Sequence, residues 1–487
     1  MNFTKYYFNL GYNLQKEALL KKDVTLQPHQ QGVLDQLSES ELKSLLMYHG
    51  LGSGKTLSAI TATSDTPTDF VVPASLRENA KKELQKFTKK HKSNVRSYEH
   101  YRKHGPTDKA TSLVLDEAHK ISNPDTQAAK ALLASAKKYS TKLLLTGSPI
   151  KNHPYDLMPL LGVLNPAEKI PSREKFNEAF IKTEQVDPGF WAKLKGATPG
   201  EVETIKNKDK FQEMWKGKVN YYQGSNDDYP DVTEKNVSVV MSPIQQKLYK
   251  KTTEDIPYSV RVKMEKGIPL SKSEKAHINS YFSASRQISN SVRNYGEQDS
   301  TPKIDKMVKD IQKTLKKHPT GKTVTYSNYL NSGVNEIATE LEKKGIPYGV
   351  FNGKLTDKKR KELINQFNDN KIRSLLVSGA GSEGLDLKGT RLMQIMEPHW
   401  NEARTDQMKG RAIRYKSHSH LPKKDQHVEV RNYMSVLPDG FFGTEPPLST
   451  DQYMQQLGEK KTNLNEQFLR VLRMAGSKAI KKVNTNY

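Results

Sequence analysis

The feature that most constrains this chain is a glycine-rich loop between a buried strand and a helix. Residues 45–49 form a short apolar run that is typical of a buried strand, and the residues after Thr56 place small and apolar side chains at helical spacing. The loop between them contains Gly50, Gly52, Ser53, Gly54 and Lys55. Its backbone N–H groups and the positive end of the helix dipole can together bind phosphate. The sequence therefore predicts a nucleotide-binding site in an α/β fold.

In this loop, Lys55 is predicted to reach the terminal phosphates and the Thr56 hydroxyl to hold a magnesium ion. The strict pattern G-x-x-x-x-G-K-[ST] has glycine where this chain has His49. The run Gly321-Lys322-Thr323 provides a control, since it lacks the other glycines and precedes a strand-like run where a helix should begin. We interpret it as a turn before a strand.

Two adjacent carboxylates, Asp116 and Glu117, follow the apolar run 112–115. The carboxyl ends of parallel strands are where ligands bind in open α/β sheets. Asp116 is therefore placed to hold the magnesium ion, and Glu117 to polarise the attacking water. Without the phosphate-binding loop upstream, a solvated acidic strand end would be the better interpretation of this pair.

Composition limits the partners and the compartment. The net charge of +24 over 487 residues indicates a polyanionic partner, with nucleic acid the first candidate, although a lysine-rich solvated surface would explain the charge equally well. The absence of cysteine excludes disulfides, thiolate metal sites and a cysteine nucleophile. No apolar run approaches the ~20 residues that span a membrane, and the first eight residues lack the pattern of a secretory signal. We expect a soluble protein in a reducing compartment, with no membrane partner.

The alternation of strand and helix patterns predicts two parallel-sheet α/β lobes in tandem, joined by a mainly helical insert and followed by a helical brace. The predicted boundaries are a lead-in at 1–24, a first lobe at 25–165, a basic helical insert at 166–300, a second lobe at 301–445 and a helical extension at 446–487. Aromatic residues in the insert are interpreted as core rather than as platforms for stacked bases.

The second predicted lobe carries a glycine-rich loop at 378–387 and two arginines, Arg411 and Arg414. Their spacing of three predicts that both guanidinium groups lie on one face of a helix. Arginines in this arrangement can serve a salt bridge, a nucleic-acid backbone or a γ-phosphate, and residue chemistry leaves all three open.

Taken together, these motifs resemble those of the superfamily 2 helicases and translocases, and within them the Swi/Snf-type ATPases and the DExH NTPases of large DNA viruses and phages. The resemblance follows the family's motif order over about residues 25–160 and 300–475. The segments that carry it are Gln30, Gly50–Thr56, Val71–Leu76, the Asp116–His119 DEAH box, Thr146–Asn152, Gly379–Leu387 and Gln407–Arg414.

The resemblance implies two RecA-like lobes, ATP and magnesium as cofactors, and a set of site residues. It assigns Arg411 and Arg414 as arginine fingers that reach the γ-phosphate, and Gln30 as the adenine-recognising glutamine. It further places Gly384, Asp386 and Gln407 among the nucleotide-binding residues. Pro73, Thr146 and Ser148 fall in motifs that contact nucleic acid or couple it to the ATP state.

Three functions compete at this point. The first is a DNA-dependent ATPase that translocates on or remodels duplex or branched DNA in viral or phage replication, recombination or repair, in the host cytoplasm or at the site of viral DNA metabolism. The second is a transcription-associated ATPase that acts with an RNA polymerase. The third, from another class, is a non-hydrolysing nucleic-acid-binding or protein-binding scaffold, which the intact motifs disfavour.

Overall fold

The computed structural model describes residues 16–480, apart from positions 22, 51, 90, 195–196, 225–228, 255, 272–273, 275–277, 298–299, 380–386, 399–401, 415 and 440–445. The strands, in chain order, are β1 Ser44–His49, β2 Thr68–Val72, β3 Ser93–Ser97, β4 Ser112–Asp116, β5 Thr141–Thr146, β6 Ile181–Val186, β7 Gly200–Ile205, β8 Val219–Tyr222, β9 Asp231–Val240, β10 Lys322–Ser327, β11 Tyr348–Phe351, β12 Ser374–Ser378, β13 Thr390–Ile395 and β14 His427–Val436.

The α-helices alternate with most of these strands. In chain order they are α1 Pro28–Glu39, α2 Lys55–Ala62, α3 Arg77–Phe87, α4 Tyr98–His104, α5 Gln127–Ser135, α6 Leu157–Leu164, α7 Arg173–Phe180, α8 Phe190–Leu194, α9 Lys208–Trp215, α10 Pro243–Glu254, α11 Tyr258–Glu265, α12 Asn279–Asn290, α13 Pro302–Lys317, α14 Asn335–Lys343, α15 Asp357–Asn368, α16 Glu402–Ala412 and α17 Thr450–Ile480. Within the described part of the chain, none of them is both long and apolar enough to cross a membrane.

The chain divides into two compact units. The first unit contains the residues up to Lys182, the segment Thr204–Gly224 and the residues from Leu464 onward. The second unit contains the segment Thr183–Glu203 and the residues from Ser225 to Asn463. Each unit is therefore assembled from segments that are far apart in sequence.

The first unit is built on a six-stranded parallel sheet with the order β3-β2-β4-β5-β1-β8. Its central strands are buried on both faces, as their continuous apolar sequences predict. Neighbouring residues of one strand pack into different cores: Leu46 and Tyr48 belong to one cluster, and Leu45 and Met47 to another. This order brings the carboxyl ends of β4, β5 and β1 together at one edge of the sheet.

The second unit is built on another six-stranded parallel sheet, with the order β11-β12-β10-β13-β14-β9. The predicted strands at 323–327, 348–352, 374–378 and 392–396 are confirmed as β10 to β13. Lys322 begins β10, so the interpretation of the second Gly-Lys-Thr as a turn before a strand is also confirmed. The predicted fold class, two parallel-sheet α/β lobes in tandem, is confirmed.

The range 166–300, predicted as a mainly helical insert, also contains strands that extend both sheets. Alongside α7 to α12 it contains β8, which is the edge strand of the first sheet, and β9, which is the edge strand of the second. β6 and β7 form a small sheet of their own. Most residues of β9 are exposed and its sequence includes three charged residues, so it lacks the apolar signature on which strand prediction depends.

The long C-terminal helix α17 confirms the predicted helical extension, with a start at Thr450. Tyr453 and Met454, near its start, pack in a core cluster of the second unit. Leu464, Phe468 and Leu472, further along, pack in the core of the first unit. These apolar residues recur at helical spacing, which is why the sequence predicts this element well.

Candidate nucleotide site

The glycine-rich loop connects β1, which ends at His49, to α2, which begins at Lys55. Gly52 and Gly54 have φ angles of 74° and 73°, in the left-handed region that favours glycine. A Cβ on Gly54 would also lie 2.3 Å from the side-chain nitrogen of Gln30. Backbone conformation therefore favours glycine at both positions, and close packing against Gln30 adds a second reason at position 54.

Lys55 folds back over the start of its own loop. Its Nζ donates to the carbonyl oxygens of His49 at 3.0 Å and Gly50 at 2.9 Å, and the Ser53 hydroxyl also donates to the Gly50 carbonyl at 2.8 Å. Thr56, half-buried, is the second residue of α2. The lysine and threonine predicted for phosphate and magnesium therefore sit at the helix N-terminus, next to the loop.

The first turn of α1 supports the other half of the loop. The Gln30 side chain is buried, accepts from the Gln27 N–H at 2.8 Å and donates to the Gly54 carbonyl at 3.3 Å. His29 Nε2 contacts the Ser53 carbonyl at 2.7 Å, and its ring stacks on Tyr222 with the centroids 3.7 Å apart. α1 thus contacts two consecutive carbonyls of the loop through two consecutive side chains.

Asp116 ends β4 and lies at the same edge of the sheet as the loop. Its Oδ1 accepts from the Glu117 N–H at 3.0 Å. Burial raises the pKa of Asp116 to about 7, and the negative charge of Glu117 acts in the same direction, while the positive charge of Lys55 opposes both. The structure therefore brings Lys55 and Asp116 into electrostatic contact, as the strand order predicts.

Glu117 has a left-handed backbone, with φ 52°, and begins the 3₁₀ turn Ala118–Ile121. Its Oε2 lies 3.4 Å from His119 Nδ1, which lies 3.2 Å from the Thr146 hydroxyl. The Thr146 oxygen also accepts from the Ser148 N–H at 3.1 Å. Side chains after β4 are thereby linked to the last side chain of β5, although the sequence separates them by about thirty residues.

The remaining predicted residues are not among the contacts described above. Pro73 is buried directly after β2. Arg411 is buried in α16 of the second unit. Gly384 and Asp386 lie outside the described residues, as does the side chain of Gln407.

The prediction that Arg411 and Arg414 share one helical face is wrong. α16 ends at Ala412, so Arg414 lies beyond it. The Ile413 N–H still donates to the Lys409 carbonyl at 2.8 Å, but the Arg414 N–H donates to the Ser417 hydroxyl at 3.2 Å, which ends the helical pattern.

Comparison with known proteins supports the family that these motifs indicate. Residues 71–294 match the SNF2-related domain, and residues 304–416 match the helicase conserved C-terminal domain. The chain belongs to the Swi/Snf-like group of superfamily 2 helicases. It is accordingly a nucleic-acid-dependent ATPase, and the alternative of a non-hydrolysing scaffold is set aside.

Relatives of this Swi/Snf-like chain occur in large DNA viruses. It is 28% identical over 465 residues to protein L538 of Acanthamoeba polyphaga mimivirus, which carries the name of an ATP-dependent RNA helicase, with 91% of this chain and 95% of that protein covered. It is 23% identical to a termination factor NPH-I homolog of African swine fever virus, with 89% and 76% covered. The solved Hef helicase domain of Pyrococcus furiosus aligns with a TM-score of 0.48 at 15% identity, covering 86% of this chain and 97% of that one.

Three residues at this ATPase's loop escaped the sequence argument: His29, Asn220 and Tyr222. His29 directly precedes Gln30, so its position beside the glutamine that the resemblance assigns to adenine recognition was the available signal. Asn220 and Tyr222 lie in β8, within the predicted helical insert. A short strand signal at 219–222 was present, but local pattern cannot show that this strand pairs with β1.

Proposed function

We propose that this Swi/Snf-like ATPase couples ATP hydrolysis to movement along, or remodelling of, duplex or branched DNA in viral or phage replication, recombination or repair. The observation that carries the proposal is the connection from Glu117 through His119 to Thr146 and Ser148. A side chain proposed to act on the attacking water is thereby tied to a loop proposed to couple the ATP state to nucleic acid. Such a connection supports coupled movement rather than hydrolysis alone.

The proposed division of labour follows the site's geometry. Lys55 would bind the terminal phosphates once it exchanges the carbonyls of His49 and Gly50 for phosphate oxygens. Glu117 would polarise the attacking water. Arg411 and Arg414 would stabilise the charge that develops on the γ-phosphate, a contribution of order 10³–10⁵ in rate for an arginine finger.

The residues fit a magnesium ion. The Thr56 hydroxyl and the Asp116 carboxylate are the oxygen ligands that Mg²⁺ prefers, and we propose that they hold it. Burial raises the pKa of Asp116, and a bound cation would stabilise its ionised form. When bound, the ion would neutralise charge on the phosphates.

We propose DNA as the nucleic-acid partner, in agreement with the net charge of +24. Pro73, directly after β2, and Ser148, two residues after β5, are the proposed nucleic-acid contacts or coupling residues of the first unit. Replication or recombination proteins would be the protein partners of this function.

A second candidate is a transcription-associated ATPase that acts with an RNA polymerase. The names of the African swine fever virus relatives, which describe termination factors, favour it. It uses the same ATP site, so the two functions differ in the nucleic acid and protein partners that stimulate turnover rather than in the chemistry.

The deciding experiment measures steady-state ATP hydrolysis by the purified chain, alone and with single-stranded DNA, duplex DNA, a branched junction or RNA. Strong stimulation by duplex or junction DNA would support the DNA translocase, whereas stimulation only by single strands or RNA would favour unwinding or transcription. Lys55→Ala is the control, because any turnover that survives it does not come from the proposed site.

A further inference from the structure

A strand from the middle of the chain pairs with the strand that leads into the phosphate-binding loop. β8 pairs with β1 in parallel, with Leu46 opposite Val219 and His49 opposite Tyr222. The pairing continues into the loop, because the Gly50 N–H donates to the Tyr222 carbonyl at 2.8 Å. The first N–H of the loop is therefore bonded to β8.

The end of β8 also packs tightly against the loop. A Cβ on Gly50 would lie 2.3 Å from the carbonyl oxygen of Gln223, which is far inside van der Waals contact. Since the obstructing atom belongs to the backbone, rotation of a side chain cannot relieve the clash. The position of Gly50 thus depends on where β8 ends.

Buried side chains extend this connection. His49 is fully buried, and its Nε2 lies 2.6 Å from the side-chain oxygen of Asn220, which is itself only 4% exposed. The Asn220 amide nitrogen donates to the Gln36 side-chain oxygen at 2.8 Å, and the Gln36 nitrogen donates to the Val219 carbonyl at 3.0 Å. One chain of hydrogen bonds therefore links β1, β8 and α1.

The bond pattern fixes the state of the imidazole. Because the Asn220 nitrogen donates to Gln36, its oxygen is the acceptor for His49, and the imidazole proton resides on Nε2. Burial lowers the pKa of His49 to about 3, so the ring is neutral near pH 7. A neutral ring with a fixed tautomer is a rigid support rather than a charge beside the phosphates.

We propose that His49 and Asn220 are positioning residues that hold the phosphate-binding loop in the shape that binds ATP. The proposal rests on the proposed role of this loop in ATP binding. It accounts for the histidine that stands where the strict loop pattern has glycine. A glycine there would have no side chain, whereas the histidine ring bonds to β8. Asn220, which lies 171 positions away, provides the other half of that attachment.

The residues that β8 holds are the ones that orient the lysine. Until it exchanges these bonds for phosphate oxygens, Lys55 Nζ donates to the carbonyls of His49 and Gly50, so a shift of these two residues would move the ammonium and the loop N–H groups from the positions in which they receive ATP. The loop contacts phosphate both in bound ATP and in the transition state. Loosening it therefore weakens ATP binding more than it slows the chemical step, and the KM rises more than kcat falls.

Asn220→Ala tests the proposal in steady-state hydrolysis at a saturating concentration of the stimulating nucleic acid. We expect the KM for ATP to rise about tenfold, as for the loss of one buried hydrogen bond that orders a binding loop, with kcat lowered no more than about twofold. The matched control is Asn432→Ala, which removes a buried strand asparagine of the second unit that donates to Glu234 and Asn236. It should leave the KM at the parental value.

A double-mutant cycle separates positioning from general loss of structure. If His49 and Asn220 act through their mutual bond, the combined His49→Ala and Asn220→Ala variant should show a KM close to that of the worse single variant rather than the product of the two effects. A parental KM for Asn220→Ala, or additive effects in the cycle, would overturn the proposal. So would a fall in kcat that matches a lowered melting temperature with the KM unchanged, since that is the signature of a purely structural residue.

Two further variants keep the test decisive. Should His49→Ala fail to fold, Gln36→Leu removes the support of the Asn220 amide without touching the loop, and should raise the KM in the same direction, by about twofold to threefold. A parental KM in Gln36→Leu would overturn the proposal, as it would in Asn220→Ala. Lys55→Ala distinguishes the two levels of inference. If it turns over ATP at the parental rate, the proposed ATP site is wrong; if it is inactive while Asn220→Ala has a parental KM, only the positioning role fails.

Discussion

Single residues at the edge of the first sheet carry the proposed chemistry, and Glu117 is the one whose role can be isolated most cleanly. Glu117→Gln keeps the size of the side chain and its ability to hydrogen-bond, but an amide cannot polarise water as a carboxylate does. We expect ATP binding to persist while hydrolysis falls by about 10²–10⁴. Equilibrium binding of a fluorescent ATP analogue, together with single-turnover hydrolysis, measures both quantities, and turnover at the parental rate would contradict the role.

Two glycines make a matched pair for a second test. Gly50→Ala would place a methyl group 2.3 Å from the Gln223 carbonyl oxygen, so we expect a lower melting temperature and ATP binding weakened at least about tenfold. Gly32 lies inside α1, and nothing lies within 4 Å of the position of its Cβ. Gly32→Ala should therefore stabilise the helix, by about 1 kcal/mol. Equal effects of the two variants in thermal unfolding and ATP titration would show that the contact with β8 is unimportant.

At this scale, the sequence predicts residues whose chemistry follows from local context. Lys55, Thr56 and Asp116 could be predicted as site residues because each follows a recognisable buried strand. Asn220 could not be predicted, because the role of a buried asparagine depends on its hydrogen-bond partner, and here the partner is distant in sequence. Nor could the spacing of Arg411 and Arg414 reveal that the Ser417 hydroxyl ends α16 before the second arginine.

Among the elements, the contact between the start of β10 and the end of α15 predicts that the stability of the folded state depends on pH. Lys322 is 1% exposed, and its Nζ donates to the carbonyls of Phe367 at 2.9 Å and Asn368 at 3.0 Å, at the end of α15. Burial lowers the pKa of Lys322 from 10.5 to about 8. Between these values the unfolded chain binds more protons than the folded one, so the stability of the folded state rises with pH.

The variant Lys322→Met removes this titration. Relative to the variant, we expect the parental chain to gain about 2 kcal/mol between pH 7 and pH 9.5, the amount that the cited shift in pKa implies. Calorimetric unfolding of both proteins at the two pH values provides the comparison. A difference in stability that does not change with pH would mean that Lys322 has its ordinary pKa in the folded protein.

Elements were predictable where hydrophobic pattern and turn chemistry agreed. The strands β10 to β13 and the helix α17 have continuous or periodic apolar residues, and the prediction found all of them. β9 was missed because an edge strand with one paired side keeps charged residues such as Glu234 and Lys235. β8 was missed because four residues among lysine-rich helical segments give too short a pattern.

For the whole molecule, the predicted order of lobes is correct, whereas the composition of each unit differs from the predicted boundaries. Segment Thr204–Gly224 joins the first unit, although about twenty residues before it belong to the second. Local patterns report where elements begin and end. They do not report which sheet an element joins, because that choice depends on long-range strand pairing.

The net charge of the whole chain yields the last prediction. A protein with a net charge of +24 that neutralises backbone phosphates releases condensed counterions on binding, so its affinity for nucleic acid should fall steeply with salt. For as few as four phosphate contacts, the affinity for duplex DNA should drop about 100-fold between 50 and 200 mM salt. Fluorescence anisotropy of a labelled duplex in the absence of ATP gives this slope.

Lys55→Ala should retain the same salt dependence, because Lys55 is proposed to bind ATP and not the duplex. A flat response would show that the positive charge is a solvated surface with no nucleic-acid partner, and tighter binding of an RNA hairpin than of the duplex at equal salt would transfer the proposal from DNA to RNA.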